Sequence, residues 1–482
     1  MLTGILIVFP FLLSLVLFGC KESPRIKVLA FAGSIVEFIL SLYALFVYQT
    51  QCHCQLLFEI DWLNKLGITL RFGMDGLTLI LVLLTTFLTP LIILSSFRHN
   101  YRRSSSFYGL ILFMEMAFIG VFASLNGLLF YIFWELALVP AYFITAVWGG
   151  NDRIRITFKF FIYTFIGSLA MLGGLIYLYY KTPLPHSFDI RFLYGVSLSA
   201  VEQGWIFWAF FLAFAVKIPV FPFHTWQPDT YVTAPSGATM ILAGIMLKMG
   251  TYGLVRFLLP ICPLAMKDWG AVALILSVTG IVYASLIAIR QDDLKRLVAY
   301  SSIAHTGLIS AGIFSLTDKA LEGAIIQMVS HGINIIGLFI IIDVIESRMK
   351  SRKISELGGI AGVAPWLAIF FMIILLGNVA LPLTNGFIGE FLLLFGLFEY
   401  NWLIAAIAGL TVIFTVVYML RMYQRTMLGN QNELTKSFTD ITLREALVLA
   451  PLVVMIFWIG LFPGFFLHMT EPVIKDILQF AR

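Results

Sequence analysis

The chain has 482 residues, of which 60% are hydrophobic and 15% aromatic, while only 12% are charged. Soluble domains carry roughly 25% charged residues, so water is not the main solvent of this surface. The net charge of +5 sits chiefly in loops between apolar runs and gives no reason to expect nucleic-acid binding.

The first apolar run ends at Cys20, and Met1 to Pro10 contains no charge, so it reads as a spanning helix rather than a signal peptide, which begins with a basic segment. Fourteen spans follow from apolar runs long enough to cross about 30 Å of hydrocarbon. They lie near 2–19, 27–48, 74–96, 106–122, 127–148, 158–179, 204–225, 237–259, 268–289, 298–315, 319–345, 363–398, 402–427 and 444–466. The expected fold is therefore an all-α polytopic membrane protein with 14 transmembrane helices. The seventh span runs into Pro219 and Pro222, and the twelfth is too long for one crossing and contains Gly377, Pro382 and Gly386. Both read as broken helices.

Twenty Lys and Arg residues fall in one set of alternate loops and nine in the other. The positive-inside rule then puts both termini outside the cytoplasm. The longest extramembrane stretches, near 49–73 and 180–203, are too short for a soluble domain. In the first of them Cys52-His53-Cys54 offers two thiolates and one imidazole, an incomplete metal set, and reads as an ordinary loop; Cys20 and Cys262 add no ligand spacing. No P-loop, dinucleotide fingerprint or H-E-x-x-H motif occurs. No cofactor, nucleotide or metal is expected on this chain.

A charged side chain at the centre of a span costs at least about 2.5–3.5 kcal/mol, so it persists where it pairs, meets water or works. Glu135, Lys217, Lys248, His305, His331 and Glu390 all fall inside spans, in six different ones. Titratable groups at similar depth in different helices make a chain along the membrane plane. A buried Glu–Lys pair at 4 Å attracts by about 4 kcal/mol at an effective dielectric of 20. That compares with about 2.3 kcal/mol per charge per 100 mV of membrane potential, so opening such a pair can move a proton against a gradient. The bland alternative is structural: Glu135 neutralising a lysine, and the two histidines bridging helices. His224 and Asp229 lie near the cytoplasmic end of the seventh span, where capping and proton uptake are equally good readings.

Spans 4–8 and 9–13 form two five-helix sets with the interrupted helix fourth in each. Five being odd, the second set runs inverted relative to the first, and broken helices at matching places mark a midplane transport site. The chain divides into three N-terminal helices (1–105), a first repeat (106–259), a second repeat (268–427), and a last helix with its tail (428–482).

Six motifs carry a resemblance to a known family. They are Trp134-Glu135 through Pro140, Ala215-Val-Lys217-Ile-Pro219, Pro222-Phe-His224-Thr-Trp226-Gln-Pro228-Asp229, Leu247-Lys248-Met-Gly250, Ala299 through His305, and Gly386-Phe-Ile-Gly389-Glu390-Phe391. Over roughly residues 70 to 470 the chain resembles the antiporter-like subunits of respiratory complex I. It looks most like the M-type branch, where Glu rather than Lys stands in the second broken helix and no long lateral helix follows.

The resemblance implies that Glu135 and Lys217 form the ion pair of a first half-channel and that Lys248 is the central relay. His305 and His331 then continue to Glu390 at the second half-channel, and His224 tunes proton uptake. It further implies that NADH, FMN, iron–sulfur clusters and quinone belong to other subunits of a translocating enzyme, with no redox chemistry on this chain. Partners are L-type and N-type antiporter-like subunits and the lipid of a bacterial inner membrane. An Mrp-type Na⁺/H⁺ antiporter subunit shares nearly every motif, but Glu390 argues against it. A stand-alone transporter requires a polar substrate cavity, for which midplane polar residues are too sparse.

Overall fold

The computed structural model describes residues 1–49, 54–63 and 68–481. Helices α1 (Leu2–Gly19) and α2 (Arg25–Val47) open the chain, followed by strands β1 (Gln55–Leu63) and β2 (Ile68–Met74). Then come α3 (Gly76–Ser95), α4 (Ser104–Ala123), α5 (Gly127–Trp148), α6 (Arg153–Lys181) and the short α7 (Ile190–Tyr194). Next are α8 (Ala200–Lys217), α9 (Trp226–Thr233), α10 (Ser236–Ile241), α11 (Leu247–Gly253) and α12 (Leu259–Ile261). The chain continues through α13 (Pro263–Arg290), α14 (Leu294–Phe314), α15 (Asp318–Met349), α16 (Pro365–Asn378) and α17 (Asn385–Tyr400). It ends with α18 (Trp402–Met427), α19 (Leu443–Leu461) and α20 (Gly464–Ala481).

Among the described residues, 13 helical segments are long and apolar enough to cross a membrane. The expected twelfth span is absent from that set because it is split into α16 and α17, neither long enough alone. The protein is thus an all-α polytopic membrane protein, in line with the fold class its apolar runs dictate. Burial grades from centre to rim. The segment Ser236–Ile261 and α15 are buried along their apolar windows, and α14 nearly so, whereas α1, α2, α18 and α19 leave most of theirs open to lipid. The three central segments carry Lys248, His305 and His331, so the fold keeps the midplane charges away from hydrocarbon.

Two features were not expected from hydropathy. Residues 49–73 contain an antiparallel hairpin in which Phe58 faces Phe72 and Ile60 faces Leu70. The Phe58 and Phe72 rings stack 6.4 Å apart. Thr3 donates to the Leu56 carbonyl at 2.5 Å, so the hairpin caps the start of α1. Cys54 precedes β1, while Cys52 and His53 lie outside the described residues. The other surprise is α20, an amphipathic helix laid against α3, α12 and α15.

Ion pairs pin both ends of the bundle. Asp75 accepts from the Thr78 amide at 2.9 Å, capping α3, and also pairs with Arg256. Asp189 pairs with Arg71 of β2, tying the hairpin to the loop before α7. At the opposite face Glu445 receives Arg98 and Arg348, each at 2.6 Å. Glu22, between α1 and α2, accepts from the amides of Ser104 and Ser105 at 3.0 and 3.2 Å and from their hydroxyls at 2.7 and 2.6 Å. Partial burial works against its charge, but these four donors hold its carboxyl below the usual range. It thereby satisfies the free amides that begin α4.

Candidate functional site

The first broken helix is built by proline. After α8 the chain turns through residues 218–225, with Pro219 and Pro222 in the turn, before α9 resumes. Proline lacks an amide hydrogen and cannot continue the α-helical ladder. Lys217 therefore ends up at the last position of α8, beside the break, with its side chain almost wholly buried. Its ammonium lies 5.2 Å from the Trp134 ring centroid and has no hydrogen-bond partner among the described residues. Glu135, one residue on in α5, is half-buried with one carboxyl oxygen unpartnered. The two charges act on one another across the gap, but no ion pair closes between them among the described residues.

Lys248 lies in α11 between two π-helical segments, Leu242–Met246 and Leu254–Leu258. π-Turns shift backbone hydrogen bonds out of α register and recur at functional sites. Here the Ala243 carbonyl, within the first π-segment, accepts from the Lys248 ammonium at 3.1 Å. The same ammonium meets His331 Nδ1 at 2.8 Å. His331 Nε2 is 3.0 Å from the Ser302 hydroxyl, to which Gln227 of α9 reaches at 3.5 Å. The His331 and His305 rings are 6.1 Å apart between centroids. His305 Nδ1 then lies 3.0 Å from Glu390, and Gln327 donates to the same carboxylate oxygen at 3.3 Å.

The second break needs glycine and asparagine. A Cβ at Gly386 would stand 2.1 Å from the Gly377 carbonyl oxygen, so only glycine lets α16 and α17 meet there. Pro382 lies in the intervening turn at 379–384. Asn385, at the start of α17, accepts from Asn334 at 3.1 Å, and its carbonyl accepts from Ser330 at the same distance. These bonds satisfy backbone and side-chain groups that the break would strand in an apolar medium. Farther along the seam, a Cβ at Gly389 would lie 2.3 Å from Gln327, and one at Gly396 would lie 2.4 Å from the Ala320 amide nitrogen. The α17 backbone therefore packs directly on α15.

Of the residues expected to carry protons, Lys248, His331, His305 and Glu390 come together as one series. Glu135 and Lys217 face each other separately. His224 does neither: it sits in the first break, packed between the Phe221 and Tyr283 rings. Asp229 is held by Lys159 at 3.0 Å and Arg296 at 2.9 Å, a structural cross-link of α6, α9 and α14.

Sequence reasoning passed over the polar neighbours Ser302, Gln327, Asn334 and Asn385, which carry no charge to mark them. It also passed over Glu37 in α2 and Glu115 in α4. Both are fully buried near the middle of their helices, close enough to act on one another, and among the described residues none of their four carboxyl oxygens meets a donor in good hydrogen-bond geometry. The cost of a mid-span charge, which singled out Glu135, was the signal available for these two.

Buried ionisable groups in series beside two interrupted helices, within a bundle of span-length apolar helices, place the chain in a class, the polytopic membrane proteins with a charged interior. Residues 124–415, more than half of the chain, match the family model described as NADH:quinone oxidoreductase/Mrp antiporter, TM, and the chain belongs to this family. It is 42% identical over 462 residues to NADH-quinone oxidoreductase subunit M of Rickettsia typhi, covering 95% of this chain and 93% of that one. It is 36% identical to NADH-ubiquinone oxidoreductase chain 4 of Marchantia polymorpha, covering 99% and 97%. Among solved structures it resembles a chain of respiratory complex I from Thermus thermophilus with bound NADH, at 28% identity, a TM-score of 0.93 and full coverage of both chains. The resemblance to the M-type branch read from the six motifs is thus borne out by its relatives.

Proposed function

We propose that this chain is the M-type, proton-translocating membrane subunit of NADH:quinone oxidoreductase, and that protons cross through Glu135, Lys217, Lys248, His331, His305 and Glu390. The observation that carries this reading is the contact series from Lys248 to Glu390, which threads α11, α15, α14 and α17 at mid-depth with polar contacts of 2.8–3.0 Å. The two histidine rings bridge its middle. Imidazole titrates near neutral pH and passes a proton from one nitrogen to the other, so a histidine pair between a lysine and a carboxylate suits a relay.

The separated Glu135–Lys217 pair fits a switch. When the pair closes, attraction of several kcal/mol favours the charged lysine; when it opens, burial favours giving the proton up. The proton then has Lys248 as its next acceptor. Residues 106–259 and 268–427 act as two inverted half-channels, with 1–105 and 428–482 flanking them. His224 and Asp229 line the approach to the first half-channel, where Asp229 acts through its cross-link of α6, α9 and α14. Both termini lie outside the cytoplasm of a bacterial inner membrane, in keeping with the loop charge bias. Electron transfer through NADH, FMN, iron–sulfur clusters and quinone belongs to other subunits, and L-type and N-type subunits are the lateral neighbours.

The test is Lys217→Ala in the intact complex in native membranes, with proton pumping and quinone reduction measured together. Both rates are expected to fall by at least about tenfold while assembly is preserved, as when a positioned proton-transfer group is lost. Unchanged pumping and quinone reduction would make this buried lysine structural and remove the pump assignment.

A further inference from the structure

The cleft between α13 and α18 has two parts that the proton path does not use. On the arginine-rich face of the bundle it opens into a cavity of about 280 Å³. Arg290, the last residue of α13, lines it together with Arg421 and Arg425, which lie one turn apart on α18. Among the described residues none of these three guanidiniums makes an ion pair or a hydrogen bond. Some other arginines of this face are paired, Arg98 and Arg348 with Glu445 and Arg352 with Asp293 at 2.5 Å; what sets Arg290, Arg421 and Arg425 apart is that they line one cavity. Asp292 is the carboxylate on the cavity wall, and it is already engaged by the Ser355 amide at 2.9 Å and hydroxyl at 2.6 Å. The Tyr418 hydroxyl, on the inner side, is held by Ser301 at 3.1 Å and Thr415 at 2.9 Å.

Deeper in the membrane the same two helices enclose a second groove of about 430 Å³, walled by apolar residues such as Val278, Val282, Ile404 and Ile407. Its near end is Tyr283, seven residues from Arg290, or roughly 10 Å along a helix at 1.5 Å per residue. An acyl chain starting at a headgroup beside Arg290 reaches that near end within one leaflet of about 15 Å, while Ile404 and Ile407, on the order of 20–25 Å from Arg421 along α18, belong to the other leaflet.

We propose that the α13–α18 cleft binds an anionic phospholipid, with its phosphodiester held by Arg290, Arg421 and Arg425 and an acyl chain running along the two helices to the near end of the apolar groove at Tyr283. Guanidinium forks match phosphate oxygens in pairs, and basic pockets between spanning helices are where lipid headgroups are recognised. A loop bias that only orients the protein has no need to converge three unpaired arginines from two helices on one cavity. A free phosphate has no use for the groove beneath.

The intact complex in vesicles of phosphatidylcholine, containing a minor fraction of phosphatidylglycerol with a photoreactive acyl chain, tests this. Crosslinks are expected in α13 and α18 peptides and should fall at least about tenfold in the Arg421→Ala/Arg425→Ala variant, since each basic side chain contributes about 1 kcal/mol to anionic-lipid binding. The Arg421→Lys/Arg425→Lys variant keeps the charge and should retain most labelling, and excess inorganic phosphate should leave it unchanged. Equal labelling of wild type and the alanine variant overturns the site, as does equal labelling by a photoreactive phosphatidylcholine. Competition by inorganic phosphate overturns the lipid assignment in favour of a free anion. Quinone reduction reports assembly, and if the double variant does not assemble, Arg421→Gln alone is judged by the same loss of labelling.

Discussion

The two halves of the candidate path hold their charges differently. Around Glu135 and Lys217, the lysine ammonium and one glutamate oxygen make no hydrogen bond among the described residues: the lysine rests on the face of Trp134 and no ion pair closes between the two. From Lys248 to Ser302, by contrast, each polar group is hydrogen-bonded, to Ala243, His331 or Ser302. Farther on, His305 lies 3.0 Å from Glu390 and Gln327 donates to that carboxylate, with no hydrogen bond closed at either His305 nitrogen among the described residues. A charge stranded in a low-dielectric interior is high in energy and sensitive to any small movement that brings a counter-charge. The hydrogen-bonded run Lys248–His331–Ser302 is lower in energy and more tolerant. In the path proposed above, the first half thus suits switching and the bonded run of the second suits conduction.

The comparison breaks first at the pair. Glu135→Gln should lower coupled pumping by at least about tenfold, and combining it with Lys217→Ala should cost little more, because partners in one interaction are not additive. Full additivity of the two losses, measured as pumping rates of the complex, would mean that they act independently.

In the second half His331→Ala removes the link between Lys248 and Ser302, and an effect near tenfold on pumping is expected. If Lys248 is in turn left without a partner in the variant, assembly measured by native gel should weaken as well. Ser302→Ala trims one hydrogen bond from the tolerant series; at about 1 kcal/mol it should slow pumping no more than about fivefold. A larger loss from Ser302 than from His331 would invert the ranking that the contacts give.

The smallest effect lies outside the path. Glu22→Gln should cost the α1–α4 junction about 0.5–1 kcal/mol at neutral pH, read as a lower thermal midpoint of the solubilised complex. Because the folded state holds this carboxyl low, its contribution is present above the ordinary carboxylate range. It disappears as pH falls through the folded value. The wild type and variant should therefore converge in acid.

Much of this molecule was legible because the bilayer imposes a simple code. Hydropathy located the spans to within a few residues, and prolines announced the break after Lys217. The cost of a charge in hydrocarbon singled out Lys248, His305, His331 and Glu390. What escaped were features that hydropathy does not encode. The hairpin at 55–74 depends on cross-strand aromatic pairing in a stretch too polar to read as a span and too short to read as a domain. Ser302 and Gln327 are neutral and resemble ordinary helix-packing residues until their neighbours are known. The open state of the Glu135–Lys217 pair is a matter of a few ångströms, which sequence does not contain.

The glycine seam between α15 and α17 has a mechanical consequence. With Gly389 and Gly396 leaving no room for a Cβ against α15, the two helices touch backbone to backbone, and neither can slide along the other without a clash. Displacement of α17 therefore carries α15 with it as a stiff lever. Glu390 and His331, one on each arm, share that constraint.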